Sequence, residues 1–141
     1  MEICRTGMAK ILVVSNNPDF AREFSGIFCG EHVLFYAETS EKALRRLQFS
    51  PIDIVVLDRS LSIFSALSIV KQIHFPKRSN SVVLITILQG SDRERHMAFH
   101  VGADDVLEIP LLKPVVRSSI QFWASNPARE ELAPTNSPLE N

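Results

Sequence analysis

Ile54-Val55-Val56-Leu57 is an unbroken run of strand-prone apolar residues that stops at an acidic one, Asp58. Such a run belongs in a strand buried on both faces, as in the middle of a parallel sheet. In open parallel α/β sheets, ligands and chemistry gather outside the carboxyl ends of the strands. Asp58, followed by Arg59 and Ser60, therefore stands where a site would form. On this ground alone it is either a functional carboxylate or a residue that turns the chain into a loop.

The pattern recurs along the chain. Lys10 to Val14 is a second buried run, halted by Ser15-Asn16-Asn17-Pro18. Asn caps helices, and proline suits a first turn because it has no N–H to lose, so a helix is predicted to about Phe28. Phe20, Phe24, Ile27 and Phe28 form one apolar stripe along it, and Gly30 suits its end. His32 to Ala37 reads as a strand. Thr39 or Ser40 then caps a helix through Leu47, with Ala43, Leu44 and Leu47 inward and Arg45 and Arg46 outward. Ser50-Pro51 breaks it before the Asp58 strand.

Beyond Asp58, a helix is predicted to start near Ser62 or Ser65. It buries Ala66, Leu67, Ile69, Val70 and Ile73 and stops at Pro76 and the polar run Lys77 to Asn80. Ser81 to Leu88 is a fourth strand whose one polar side chain past its start is Thr86. Ser91-Asp92-Arg93-Glu94 has the form of a capping box. The helix it opens runs to Val101 with Met97, Ala98 and Val101 inward, and Gly102 closes it. Asp105 to Ile109 is a fifth strand, ending at Pro110. Pro114 opens a last helix carrying Val115, Val116, Ile120, Phe122 and Trp123, with Trp123 expected to close the core rather than anchor an interface.

Five strand–helix units argue for a parallel sheet covered on both faces. Right-handed crossovers restrict the topology, and the common five-stranded solution is flavodoxin-like. The expected fold is thus α/β: a doubly wound sheet of order 2-1-3-4-5 with five helices. That order brings Ser15, Asn16 and Asp58 together across the switch point, with Thr86 facing the same crevice. One domain spans residues 9–124, after an extension over residues 1–8. Residues 125–141 hold three prolines and almost no large apolar side chains, and so read as a disordered tail or linker.

Composition excludes several classes. The net charge of −1 gives no global pull toward nucleic acid or an anionic membrane. Cys4 and Cys29 form no CxxC and no zinc spacing, there is no apolar signal core, and no run reaches the ~20 residues that span a bilayer. These features suit a cytoplasmic protein. No Walker-type GK[ST], no GxGxxG and no helix-turn-helix is visible, so neither nucleotide nor direct nucleic-acid binding is expected.

From about Lys10 to Trp123 the chain resembles a response-regulator receiver (CheY-like) domain of two-component signalling. KILVV with Asn-Asn-Pro, DIVVLD and VVLIT match the family's first, third and fourth strands. GADDVLEIP, Gly102 to Pro110, is similar to its GADDYLxKP segment and is the most specific string. The resemblance implies that Asp58 is the phospho-acceptor candidate and Thr86 the phosphate-site hydroxyl.

The departures weigh as much as the matches. The family's two acidic residues after strand one read Ser15 and Asn16. Its lysine before the last proline reads Ile109. The small residue after the hydroxyl reads Ile87, the switch aromatic reads Val106, Met-Pro after the aspartate reads Leu61-Ser62, and a later glycine reads Ala66. Phosphoryl transfer to a carboxylate needs positive charge to offset anion repulsion, which a Mg²⁺ and the lysine supply in the family. Here the remaining metal ligands are Asp58, the Asn16 side-chain carbonyl and the Ser60 backbone carbonyl, a weak set for Mg²⁺. Arg59 is expected to lie over Asp58 as a built-in counterion. Lys113 lies four residues past Ile109 and is not read as a displaced lysine.

The resemblance with these losses implies a pseudo-receiver. It is a non-enzymatic signalling domain that requires no cofactor, has weak or no phosphorylation at Asp58, and acts by protein–protein interaction. Its partner would be a histidine kinase, an output protein or its own copy in a homodimer, met through the fourth helix, fifth strand and fifth helix. Arg93, Arg95, His96, His100, Lys113 and Arg117 are the candidates on that face. Two histidines at i, i+4 without a third ligand read as surface residues rather than a metal site. Two other readings stand: the phosphorylatable receiver part of a transcriptional regulator whose effector domain lies elsewhere, and a small α/β enzyme with Asp58 as nucleophile, which lacks a visible base and metal cluster.

Overall fold

The structure, a computed structural model, describes residues 8–28, 30–74 and 80–126. Strands and helices alternate strictly. They are β1 (Lys10–Val14), α1 (Pro18–Phe28), β2 (Val33–Ala37), α2 (Ser40–Phe49), β3 (Ile54–Leu57), α3 (Ile63–His74), β4 (Val82–Leu88), α4 (Asp92–Val101), β5 (Asp105–Ile109) and α5 (Lys113–Ala124). The five strands pair in parallel in the order β2-β1-β3-β4-β5.

Side chains of successive strand residues leave opposite faces, and both faces are covered. Leu12, Val55, Leu57, Val83, Ile85 and Ile87 pack under α2, α3 and α4. Ile11, Val13, Ile54, Val56 and Leu84 pack under α1 and α5. This is why the central strands read as continuous apolar runs rather than alternating ones. On α1 the Phe20, Phe24 and Phe28 rings stack along one side, with centroids 6.0 and 5.2 Å apart.

The helix ends follow local chemistry. Thr39 caps α2, its side chain accepting from the Lys42 N–H at 3.2 Å. The Ser62 hydroxyl accepts from the Ser65 N–H at 3.1 Å as α3 begins. Gly102 closes α4 at φ +122°, and a Cβ there would stand 2.8 Å from Val70 Cγ1. Backbone conformation and space both demand glycine at that corner.

Some expectations fail at the outer edges of helices. Met97 is exposed and Leu67 is only half-buried. A helix lying on a sheet buries one stripe, and these residues fall beside it. Helix α2 runs past Leu47 to Phe49. Arg46 on its outer side lies 4.5 Å over the Phe35 ring. The stop at Pro76, the cysteines Cys4 and Cys29, most of the extension and all but two residues of the tail lie outside the described residues.

Candidate functional site

Register places the site. Val14 pairs with Leu57, and Leu57 with Ile85. The next residue of each strand is therefore at one level: Ser15, Asp58 and Thr86. All three are buried, Asp58 at 6 % exposure. The Ser15 hydroxyl donates to Asp58 Oδ2 at 2.7 Å, and the Ser60 hydroxyl to the same oxygen at 2.8 Å. Thr86 Oγ1 donates to Asp58 Oδ1 at 3.2 Å and accepts from the Arg59 N–H at 2.8 Å. Three hydroxyls thus fill three of the roughly four acceptor positions of one carboxylate.

Asn16 is exposed, and its side-chain oxygen is 3.1 Å from the Ser60 hydroxyl. Mg²⁺ takes hard, preferably anionic oxygens in near-ideal octahedral array. The candidate set Asp58, Asn16 and Ser60 offers one carboxylate, and its Oδ2 already receives two hydroxyls. Among the described residues no group of three or more His, Cys, Asp or Glu gathers to hold a metal. The residues present fit Mg²⁺ poorly.

The other substituted positions are apolar in fact as in sequence. Ile109, at the end of β5, is half-buried against the α1–α5 side of the core. It sets an alkyl chain at the residue where the resemblance calls for an ammonium group. Val106 is half-buried against the opposite core, and Ile87 is fully buried beside the crevice.

Arg59 does not lie over Asp58. Its guanidinium grips Glu94 on α4 with two bonds, Nε to Oε1 at 2.9 Å and Nη2 to Oε2 at 2.6 Å. Glu94 Oε1 also accepts from the Leu88 N–H at 2.8 Å. The reason is geometric and electrostatic. Glu94 offers a two-pronged, partly solvated acceptor that matches the guanidinium fork. Reaching Asp58 would strip water from the cation for a carboxylate whose acceptors are mostly taken. The Arg59 guanidinium, then the Leu88 N–H, holds the Glu94 carboxyl down at about 2, and Glu94 in turn raises Arg59.

The expected capping box is accordingly only half formed. The Ser91 hydroxyl accepts from the Glu94 N–H at 3.1 Å, but the Ser91 N–H goes to the Leu88 carbonyl at 3.0 Å. Sequence reasoning gave Glu94 a local role and missed its tie to Arg59, because no short-range pattern links residues 35 apart.

The interface candidates separate into two sets. Arg93, His96 and His100 are exposed on α4, and Arg95 on the same helix pairs with Glu108 of β5 at 2.7 Å. Lys113 is exposed at the start of α5. Arg117 turns the other way, bonding Glu31 at 2.7 Å and the Ile27 carbonyl at 3.2 Å on the α1 side. Trp123 packs against the core, its indole N–H donating to Asp105 Oδ2 at 3.2 Å.

Five parallel strands in this order with five helices are the flavodoxin-like fold of response-regulator receiver domains. No protein-family model matches the sequence, and no curated protein matches it as a relative. Solved structures do match in fold. The signal receiver domain of a LuxO repressor protein from Vibrio parahaemolyticus superposes with TM-score 0.74 at 20% identity, over 89% of this chain and 97% of that one. The receiver domain of Saccharomyces cerevisiae Ssk1, crystallised with the histidine phosphotransfer protein Ypd1, gives TM-score 0.75 at 14% identity, over 85% and 91%. The receiver domain of sensor histidine kinase PA1611 from Pseudomonas aeruginosa, with magnesium coordinated in its active-site cleft, gives 0.72 at 16% identity, over 82% and 97%. No helix among the described residues is long and apolar enough to cross a membrane.

Proposed function

We propose that this chain is a receiver-type signalling module of a two-component or phosphorelay system that works by binding a protein partner rather than by a Mg²⁺-dependent phosphoryl cycle at Asp58. The observation that supports this most is the filling of the Asp58 carboxylate by the hydroxyls of Ser15, Ser60 and Thr86. A phosphoryl donor approaching such a carboxylate meets anion repulsion, and stabilisation of that charge is most of the catalysis. The side chains that would recruit a metal are Ser15 and Asn16, Ile109 brings no charge, and Arg59 is engaged by Glu94.

The Ssk1 receiver bound to Ypd1 is a domain of this fold meeting a protein partner, which favours the interaction half of the proposal. Here the partner is a histidine kinase, an output protein or a second copy. It would meet the face of α4, β5 and α5: Arg93, His96, Phe99 and His100 are exposed on α4, and Phe122 is exposed on α5.

The test is an amide NMR titration with Mg²⁺, then with Mg²⁺ plus beryllofluoride, which mimics an acyl phosphate. The expected result is no saturable shift at Asp58, Arg59, Thr86 or residues 106–110. Shifts that saturate at about millimolar Mg²⁺, grow with beryllofluoride and vanish in Asp58→Asn would overturn the proposal in favour of a working phospho-acceptor.

A further inference from the structure

A cleft of about 280 Å³ opens between α3 and α4 beside the strand ends. Its walls are apolar: Leu61, Ile63 and Ala66 on one side, Met97 and Val101 on the other, with Ile87 below. Ile63 and Met97 are exposed at 47% and 42%, although they are apolar residues of opposing helices. At the inner end stand Asp58 and Thr86, and at the mouth Arg59 and Glu94.

The polar groups of this cleft are not equivalent. Arg59 and Glu94 satisfy each other through two bonds, and Glu94 holds the Leu88 N–H as well. Thr86 Oγ1 both donates and accepts. Arg93 is exposed near Glu94 at the mouth. Asp58 is different. It receives hydroxyls only, no cationic side chain among the described residues bonds it, and Oδ1 receives a single donor. A carboxylate oxygen accepts about two hydrogen bonds, so one position remains.

We propose that this cleft binds a small amphipathic amine, its apolar body between α3 and α4 and its ammonium group donating to Asp58 Oδ1. Pockets that hold small molecules combine an apolar lining with a few placed polar groups, and this one is of fragment size. An anionic ligand would face Asp58 at the inner end, with Arg59 already engaged. The site goes beyond the signalling role proposed above and does not depend on whether Asp58 takes a phosphoryl group. It would make occupancy by a metabolite, rather than phosphorylation, the input that alters the α3–α4 surface.

The test uses the full isotope-labelled chain and follows the amides of Leu57, Arg59, Thr86, Ile87 and Met97. Butylamine, hexylamine and octylamine are titrated, with hexanol and hexanoate as controls. Saturable shifts are expected, with affinity rising up to about fourfold for each methylene that enters the cleft. Hexylamine should bind about tenfold tighter than hexanol, the increment of a charge-assisted bond. Asp58→Asn should erase that difference, while Met97→Ser, at an exposed wall position, weakens amine and alcohol by the same factor. Hexanoate binding as well as hexylamine, an amine preference that survives Asp58→Asn, or absence of saturation would each overturn the proposal. Butylamine binding as tightly as octylamine would mark a site sized for a partner's lysine side chain and would overturn it too.

Discussion

Ser15 Oγ lies 2.7 Å from Asp58 Oδ2, the two residues stepping off β1 and β3 at the same level of the sheet. A hydroxyl here supplies a proton where an acidic side chain would supply a second negative charge. The contact therefore gives Asp58 Oδ2 a donor from this chain's own side chain.

Ser15→Asp tests that relationship. Two carboxylates at hydrogen-bond distance repel, so the metal-free variant should lose about 1–2 kcal/mol of stability. Mg²⁺ should restore it in a concentration-dependent way, since a ligand that binds only the folded state stabilises by mass action. Adding Ile109→Lys should extend the response to beryllofluoride. Thermal melts with and without Mg²⁺ are the measurement. An equal melting shift in the unaltered chain would mean that Ser15 is no obstacle to the metal.

The Arg59–Glu94 clasp ties the β3–α3 loop to the first turn of α4. Removing one prong by Glu94→Gln should cost about 1 kcal/mol, at the upper end for a partly exposed pair because it is bidentate. The Glu94 carboxyl is held below its ordinary value of 4.5, at about 2. The folded state thus binds this proton more weakly than the unfolded one. The contribution is complete above about 4.5 and fades as pH falls toward about 2. Urea midpoints between these limits should fall more steeply for the unaltered chain than for Glu94→Gln.

His32 gives a second pH dependence, near neutrality. Its Nδ1 accepts the Ala9 N–H at 3.0 Å, and its ring meets Phe28 edge-on at 5.2 Å. Burial pushes its pKa below 6.5, with Glu31 opposing and Arg117 adding to the shift. Protonation would also remove the acceptor that holds Ala9. Stability is therefore complete above about 6.5 and declines as pH drops below it. His32→Gln should flatten that slope in denaturant titrations between about pH 7 and pH 5. An unchanged slope would assign the effect to another group.

Gly102→Ala should cost about 1–3 kcal/mol, because a non-glycine residue at φ +122° is strained and its Cβ would press on Val70 Cγ1. Val70→Ala in the same chain should relieve the packing part and leave the backbone part. A double-mutant cycle by chemical denaturation separates the two, and strict additivity would show that the Val70 contact contributes nothing.

The sheet was legible in the residues because buried parallel strands are apolar on both faces and end in polar turns. Lys10–Val14 and Asp105–Ile109 have the predicted bounds for this reason. So was the meeting of Ser15, Asp58 and Thr86, since strand order sets side by side the residues just past β1 and β3 and the one polar residue near the end of β4. What the tertiary structure alone decided is where the long side chains go. Arg59 and Glu94 are 35 residues apart, and Arg117 and Glu31 are 86 apart. Flexible charged side chains choose partners by geometry and desolvation in the assembled fold, and no periodicity encodes that choice. The same holds for Met97, whose helical spacing predicts burial. Its exposure at 42% follows from the gap that α3 and α4 leave between them.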